Sequence, residues 1–246
     1  MPLLAIAFFV TALLYASVGF GGGSTYSALL ALSGLDYRVL PLVSLACNII
    51  VVAGSSWRFA RADVTPWKGA LLLTVLAAPA AFVGGLVAID RESFLLLLGL
   101  SLVLTGVTML VPLREAVAGE PTRFAKAIPF AAVPLGFLAG LVGIGGGIFL
   151  APLLHLTRWN NARAIAATAS LFILVNSLFG LAGQLLKHGP AMFGAALVDA
   201  LPLLIAVVVG GQIGSLLAVR VLPVKWIRWL TAALVAVVGV RLLAGV

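Results

Sequence analysis

Long apolar segments follow one another along almost the whole chain, separated by short polar stretches. They fall at about residues 2–18, 23–33, 38–57, 67–89, 93–112, 127–142, 147–157, 162–186, 191–219 and 224–245. Most approach the roughly 20 residues that a helix needs to cross a bilayer. Their apolar residues are continuous, whereas the strands of a membrane barrel alternate apolar and polar residues over about 10 positions. The pattern therefore predicts an all-α polytopic membrane protein.

Two of the apolar regions are interrupted by runs of glycine. The stretch GFGGGS begins at Gly19, and the stretch GIGGGI begins at Gly143, 124 residues later. Each run is followed by an apolar segment of about ten residues, which is too short to span a bilayer alone. Because glycine destabilises the interior of a helix, we expect the helix to break at each run.

The chain divides into two similar halves around its longest polar stretch, residues 112–126. VGGLVA in the first half corresponds to VGGQIG in the second, and GVTML corresponds to GVRLL. Asn48 and Asn176 correspond loosely. We predict a first transmembrane repeat at residues 1–112, a linker at 113–126 and a second repeat at 127–246. Each repeat is expected to contain a glycine-broken helical element and three further transmembrane helices.

Basic residues indicate how the two halves are oriented. Eleven of the fifteen Lys and Arg residues lie in the stretches 57–68, 112–126, 157–163 and 219–228. Cytoplasmic loops of membrane proteins are enriched in these residues. If each glycine-broken element returns to the side on which it began, all four stretches lie on one side and the halves are inverted repeats, as in many secondary transporters. If each element crosses once, the halves are parallel and the basic stretches divide between the two sides. The charge distribution favours the inverted arrangement.

Composition agrees with a location in the bilayer. The chain is 63% hydrophobic and 9% charged, with a mean hydropathy of +1.25. A soluble domain is closer to half apolar and a quarter charged. The net charge of +8 is explained by topology signals in loops, so we expect no nucleic-acid partner. The N-terminus lacks the basic start of a cleavable signal, and we expect a multi-pass protein of the cytoplasmic (inner) membrane.

The two glycine runs are also the strongest candidates for a binding site. A broken helix in hydrocarbon leaves backbone N–H and C=O groups that must be satisfied by protein or by a watery cavity. The helix that follows each break directs its first N–H groups and its positive dipole end toward the break, which suits an anion. Two such breaks facing each other near the midplane would form one site between the halves. The alternative is that the glycines serve only close helix packing.

Polar side chains within the spans complete the predicted site. Amides and hydroxyls can donate hydrogen bonds to an oxyanion, and the arginine fork suits several oxygens at once. Each type also has a structural use, in interhelical bonding, in bonding its own helix backbone or in anchoring a helix end at the interface. The predicted substrate-binding residues are Gly21, Gly22, Gly23, Ser24, Asn48, Gly145, Gly146, Gly147, Asn176, Thr168, Ser170, Arg38 and Arg163. We expect no cofactor and no metal site.

Asp199 is the candidate for coupling transport to protons. It is the only acidic residue deep within an apolar segment, in ALVDALPLL. Burial disfavours the charged form of a carboxyl group, so a buried Asp199 could carry a proton in exchange with substrate. The alternatives are that Asp199 lies nearer the interface or pairs with a basic residue.

The motifs GFGGG and GIGGG, in a two-half helical chain of this length, resemble those of the TauE/SafE family of membrane permeases. The resemblance covers essentially the whole chain and includes the Thr-Ala-Ser run at Thr168–Ser170. It implies transport of sulfite, of an organosulfonate such as sulfoacetate, or of a related small anion. The first half has Ala28 where the second has Pro152, and LVSL where the second has ATAS. We therefore expect the two half-sites to contribute unequally.

These features predict a secondary transporter of a small oxyanion that works by alternating access, with proton coupling as an option. The alternatives are an anion channel of the same fold and a permease for another small anion. An enzyme is not expected, because the spans carry neither a Ser-His pair nor a His-rich metal set. The expected partners are the substrate anion, the lipid bilayer and protons, and a homodimer is compatible with this fold.

Overall fold

The computed structural model describes residues 2–110, 123–217 and 224–245. These residues form ten α-helices and contain no strand. A short 3-10 turn, Arg123–Ala127, precedes the sixth helix. The helices are α1 (Pro2–Val18), α2 (Gly23–Leu32), α3 (Val39–Arg61), α4 (Trp67–Leu86), α5 (Arg91–Leu110), α6 (Ile128–Val142), α7 (Gly147–Leu156), α8 (Ala162–Asp199), α9 (Leu201–Leu217) and α10 (Val224–Leu243). Within the described ranges, five helices are long and apolar enough to cross a membrane: α3, α4, α5, α6 together with the turn before it, and α8. The prediction of an all-α polytopic membrane protein is confirmed.

Five helices precede the predicted linker and five follow it. The helices α2 and α7 each have ten residues, and each begins at the last glycine of a glycine run. Residues 113–122 of the linker, and the basic residues Arg114 and Arg220, lie outside the described part of the chain.

One predicted segment, residues 191–219, is wrong in its boundaries. Its first part belongs to the end of α8, and α9 begins only at Leu201. The gap predicted between residues 186 and 191 coincides with a kink at Gly189, whose φ of 80° and ψ of 159° are not helical and which is followed by Pro190. The break that the sequence pattern missed is at Ala200, between α8 and α9. Proline also occupies the second position of α9, where its missing N–H costs no helical hydrogen bond.

Each half packs mainly against the other half. Helix α6 lies on α4, and α1 lies on α9, so equivalent contacts occur on both sides of the molecule. Gly136 and Gly140 of α6 approach the backbone of Ala77 and Ala81 of α4, in that order. The helices α4 and α6 therefore run in the same direction, separated by little more than their backbones. Close contacts of this kind are typical of small residues at the interfaces of membrane helices.

The contact between α1 and α9 has the same geometry. Gly210 and Gly214 of α9 lie against the carbonyl groups of Phe9 and Leu13 of α1, again in the same order. The helices α1 and α9 therefore also run in the same direction. The stretches VGGLVA and VGGQIG correspond in the sequence. The first glycine of each, Gly84 and Gly210, packs against a helix of the opposite half.

Two pairs of corresponding helices, each with one helix from either half, pack antiparallel to each other. Gly99 of α5 lies against Gly239 of α10, and Gly106 lies against Ala232, so α5 and α10 are antiparallel. The helices α3 and α8 are also antiparallel, because Leu45 near the start of α3 approaches Gly180 far along α8.

Candidate functional site

The first glycine run breaks the chain between α1 and α2. Gly19 and Gly22 have φ values of 81° and 82°, in the left-handed region that side chains other than glycine rarely adopt. Gly22 lies immediately before the first residue of α2. The run therefore makes a sharp turn possible within an otherwise apolar segment, as the sequence predicts.

After this turn, α2 folds back along α1. The hydroxyl oxygens of Tyr15 and Thr25 lie 3.0 Å apart, and the rings of Phe8 and Tyr26 have centroids 4.8 Å apart. Residues later in α2 thus contact residues earlier in α1. The two helices form a hairpin whose tip is the glycine run.

The second glycine run forms the tip of a corresponding hairpin. Gly143, Gly145 and Gly146 have φ values of 82°, 84° and 74°. Gly146 approaches the carbonyl group of Leu135, two turns before the end of α6. The glycine run therefore turns the chain back onto α6 immediately before α7 begins.

The two hairpin tips meet in the interior of the molecule. A Cβ atom on Gly23 would lie 2.5 Å from the carbonyl oxygen of Ile144, in the other tip. No residue with a side chain fits at position 23 without moving the opposite backbone. Two segments that lie more than one hundred residues apart in the sequence are thus brought into direct contact.

Asn48 of α3 lies between the two tips. Its side chain is fully buried, and Nδ2 donates a hydrogen bond of 3.2 Å to the carbonyl oxygen of Ile144. It also contacts Gly21 and Gly23 of the first tip and Gly145 of the second. Its Oδ1 has no hydrogen-bond partner among the described residues. A buried amide with an unused acceptor is unusual in a folded protein and marks this position as a candidate site.

The residue opposite Asn48 is Ile173 of α8. It contacts Gly21, Gly145 and Gly147, which mirrors the contacts of Asn48 with the two tips. The loose correspondence between Asn48 and Asn176 inferred from the sequence is therefore wrong. The error arises because asparagine was matched with asparagine, whereas the helical contacts place an isoleucine at the equivalent position.

Two buried serines satisfy carbonyl groups at the first break. Ser44 of α3 donates a hydrogen bond of 3.0 Å to the carbonyl oxygen of Gly23. Ser170 of α8 donates a hydrogen bond to the carbonyl oxygen of Gly19. Each bond supplies a partner that the broken helix itself cannot provide, as a non-helical backbone at membrane depth requires.

A small cavity of about 10 Å³ lies between the tips. This is about the space that one water molecule needs. The cavity is lined by Tyr15, Phe20, Gly21, Gly22, Gly23, Ser24, Asn48, Ile144, Ile148 and Ile173. Gly23 and Ser24 belong to the first turn of α2, where N–H groups have no acceptor within the helix. The hydroxyl group of Ser24 is buried and has no partner among the described residues.

Of the thirteen predicted substrate-binding residues, those of the first glycine run, Ser24 and Asn48 line this cavity. Gly145 and Gly147 adjoin it through their contacts with Asn48 and Ile173, whereas Gly146 packs against Phe172 and α6. The sequence did not single out Tyr15, Phe20 or the three isoleucines. The only available signal for Ile144 and Ile148 was that they flank the second glycine run.

The remaining predicted residues lie elsewhere. Thr168 donates its hydroxyl to the carbonyl oxygen of Ala164, one turn back in its own helix, at 2.8 Å. Asn176 is fully buried, and neither of its amide atoms has a hydrogen-bond partner among the described residues. Arg38 and Arg163 are exposed near the first residues of α3 and α8, and neither lines the cavity.

Asp199 is exposed, contrary to the expectation of a buried carboxyl group. The kink at Gly189 ends the straight part of α8, and Asp199 is the last residue of the short stretch that follows. It therefore lies at the junction between α8 and α9, and not in the middle of a continuous span. Proton coupling through Asp199 stays a prediction. The burial of the carboxyl group, on which this prediction depended, is not observed.

Comparison with known proteins gives a consistent result over the whole chain. The profile of the family described as "Sulfite exporter TauE/SafE" matches residues 3–242. A protein of Sinorhizobium fredii named "Probable membrane transporter protein" is 36% identical, over 98% of this chain and 97% of its own length. A protein of Methanocaldococcus jannaschii with the same description is 26% identical, over 99% of this chain and 95% of its own. No solved structure matches the chain significantly.

Proposed function

Because the chain belongs to the sulfite exporter TauE/SafE family, we propose that it is a secondary transporter that moves a small oxyanion across the cytoplasmic membrane. Membership of this family and the apolar helices make it a multi-pass membrane protein with the fold of a transporter. The substrate we propose is sulfite or an organosulfonate such as sulfoacetate, on the basis of the family's description.

The observation that carries this proposal is the meeting of the two hairpin tips around Asn48. The first turn of α2 and the side chains of Ser24 and Asn48 line one small cavity. Helix N-termini attract anions through their N–H groups and dipole, and this attraction is stronger where water is excluded. Repeat-built transporters place their substrates at comparable breaks between the halves.

Alternating access is supported by the direction of the helices. Equivalent helices of two parallel repeats would run in the same direction, whereas α3 and α8, and α5 and α10, are antiparallel. Together with the two hairpins, these helix directions support the proposal of inverted repeats, in which one half rocks against the other around a fixed site.

The same geometry agrees with the distribution of basic residues. Gly19 contacts both Phe59, near the end of α3, and Ser170, near the start of α8. The stretches 57–68 and 157–163 therefore follow helix ends on the same side of the molecule. Their shared enrichment in Lys and Arg assigns this side to the cytoplasm.

We favour a carrier over a channel of the same fold, because the cavity has room for about one water molecule. An oxyanion enters only if the surrounding side chains or helices move. A carrier makes such a movement in every transport cycle, whereas an open channel passes ions without it.

The experiment is a binding and flux panel on purified protein. Sulfite, sulfate, sulfoacetate, taurine and thiosulfate are added separately, and a ligand that prefers the folded state raises its melting temperature. We expect sulfite or sulfoacetate to give the largest shift, and the same anion to show counterflow in proteoliposomes. No shift with any anion would contradict the proposal, and saturable binding with linear flux and no counterflow would identify a channel.

A further inference from the structure

The cavity between the hairpin tips is polar on one side and apolar on the other. Ser24 and Asn48 belong to the first half, and Ile148 and Ile173 belong to the second. Ser24 is the second residue of α2, and Ile148 is the second residue of α7. Asn48 and Ile173 also occupy matching places, since each lies between the two tips. At both matched positions, the first half has a hydrogen-bonding side chain and the second half has isoleucine.

The polar side has the groups that an oxyanion requires. The Ser24 hydroxyl is fully buried without a partner among the described residues. The Asn48 Nδ2 group carries two hydrogens, and the bond to the carbonyl oxygen of Ile144 uses one. The N–H groups of Gly23 and Ser24 belong to the first turn of α2 and lie at the same wall of the cavity.

The apolar side offers no comparable side chain, although Ile148, like Ser24, lies in the first turn of its helix and contributes a backbone N–H group there. Ile148 and Ile173 are buried, with 8% and 3% of their surfaces exposed, and an isoleucine side chain offers neither donor nor acceptor. They occupy space that an anion beside Ser24 and Asn48 would need. Displacing them breaks no hydrogen bond, whereas displacing Asn48 breaks its bond across the tips.

We propose that the substrate anion is held by the first half alone, at the N-terminus of α2 by Ser24 and Asn48, while Ile148 and Ile173 of the second half form an apolar gate over it. This inference rests on the proposed transport of a small oxyanion. It assigns different tasks to two hairpins that the duplicated fold makes nearly equivalent. The anion binds on one side of the interface between the tips, and the opposite side controls its release.

The first test compares the matched residues Ser24 and Ile148. Binding of sulfite and of sulfoacetate is measured by calorimetry on the wild-type protein and on the variants Ser24→Ala and Ile148→Ala. We expect Ser24→Ala to raise Kd about tenfold or more, because a hydrogen bond to a charged group is lost. Ile148→Ala is expected to change Kd by less than about threefold. In proteoliposomes, Ile148→Ala is expected to accelerate anion exchange.

The second test compares Asn48 with Ile173 in the same assays. Asn48→Ser replaces the side-chain amide by a shorter hydroxyl group, which can donate only one hydrogen bond. Ile173→Val removes one methylene group while keeping the branched shape. We expect Asn48→Ser to weaken binding and Ile173→Val to leave binding unchanged while accelerating exchange. Because substitutions at buried positions can prevent folding, the melting temperature of each variant is recorded without ligand, and Ile148→Val serves as the milder partner of Ile148→Ala.

The outcomes separate the two proposals. If the wild-type protein binds neither sulfite nor sulfoacetate, the proposed function fails, and the gate fails with it. If the wild-type protein binds one of them and shows counterflow, but folded Ile148→Ala or Ile173→Val weakens binding as much as Ser24→Ala does, the anion contacts both halves. In that case the apolar gate is refuted and the proposed function stands.

Discussion

Gly22 and Gly146 immediately precede α2 and α7, and both have positive φ values. The sequence alone predicted that these runs would break the helices, because glycine is unfavourable inside a helix and two similar runs occur at matching places. Ser24 and Asn48 were among the predicted residues and line the cavity, but the sequence could not separate them from Thr168 and Asn176, which were chosen on the same grounds and do not line it. Asn48 lies 25 residues beyond Gly23, and only the packing of α3 brings the two together.

Replacing Gly22 or Gly146 with leucine is expected to abolish transport while membrane insertion continues. A residue with a side chain costs about 1–2 kcal/mol in the left-handed conformation, and the new side chain would press on Tyr15 or on Phe172. Transport is measured by flux into proteoliposomes, and insertion by recovery in the membrane fraction.

Gly34 is the matched control for this experiment. It also has a positive φ, of 73°, but a Cβ atom there would meet nothing within 4 Å. Gly34→Leu therefore carries a similar backbone strain without filling the space between the tips. Equal loss of transport in Gly34→Leu would show that strain alone, and not the position of the glycine, is responsible.

The substitution Asp199→Asn tests proton coupling at the residue scale. Since Asp199 is exposed at the end of α8, we expect the dependence of transport on pH to be the same in the variant and in the wild-type protein. The measurement is initial flux across a series of external pH values. A flattened profile in the variant would restore the role that the sequence suggested.

At the scale of elements, close approach of helix backbones explains several glycines outside the two runs. Gly140 of α6 lies so near the carbonyl group of Ala81 that a Cβ atom would overlap it. The sequence presented such glycines as possible packing residues or as possible site residues, and composition cannot distinguish the two. The distinction depends on which helices become neighbours.

Gly140→Leu is expected to destabilise the protein by at least about 1–3 kcal/mol, because α4 and α6 would have to separate. The measurement is the melting temperature in detergent, together with the yield of monodisperse protein. Gly194→Leu is the control, because Gly194 is helical and a Cβ atom there meets nothing within 4 Å. A melting temperature for Gly140→Leu equal to that of the control would contradict the tight packing of α4 against α6.

For the whole molecule, the sequence predicted the number of halves and favoured their inverted orientation from the positions of Lys and Arg. The sequence could not show which helix of one half packs against which helix of the other. The pairs α1 with α9 and α4 with α6 join residues that are distant in the chain. The boundary between α8 and α9 was also beyond the reach of the sequence, because the break at Ala200 lies within one continuous apolar segment.

Inverted orientation predicts which loops react with a thiol reagent that does not cross membranes. In a Cys47→Ala background, which removes the single cysteine of the chain, Asp63→Cys and Asn160→Cys should be labelled only from the cytoplasmic side. Gly34→Cys and Glu92→Cys, which line one surface cleft, should be labelled only from the opposite side. Labelling of Asp63→Cys and Asn160→Cys from different sides would instead indicate parallel halves.

The bonds that join the two hairpins also affect how the protein is made. Asn48 bonds to Ile144, and Gly19 accepts its hydrogen bond from Ser170, so the two bonds can form only after α6 and the first part of α8 have been synthesised. A nascent chain that ends after α5 lacks both partners. These polar groups of the first half therefore have no native partner in the membrane until the second half has begun to insert.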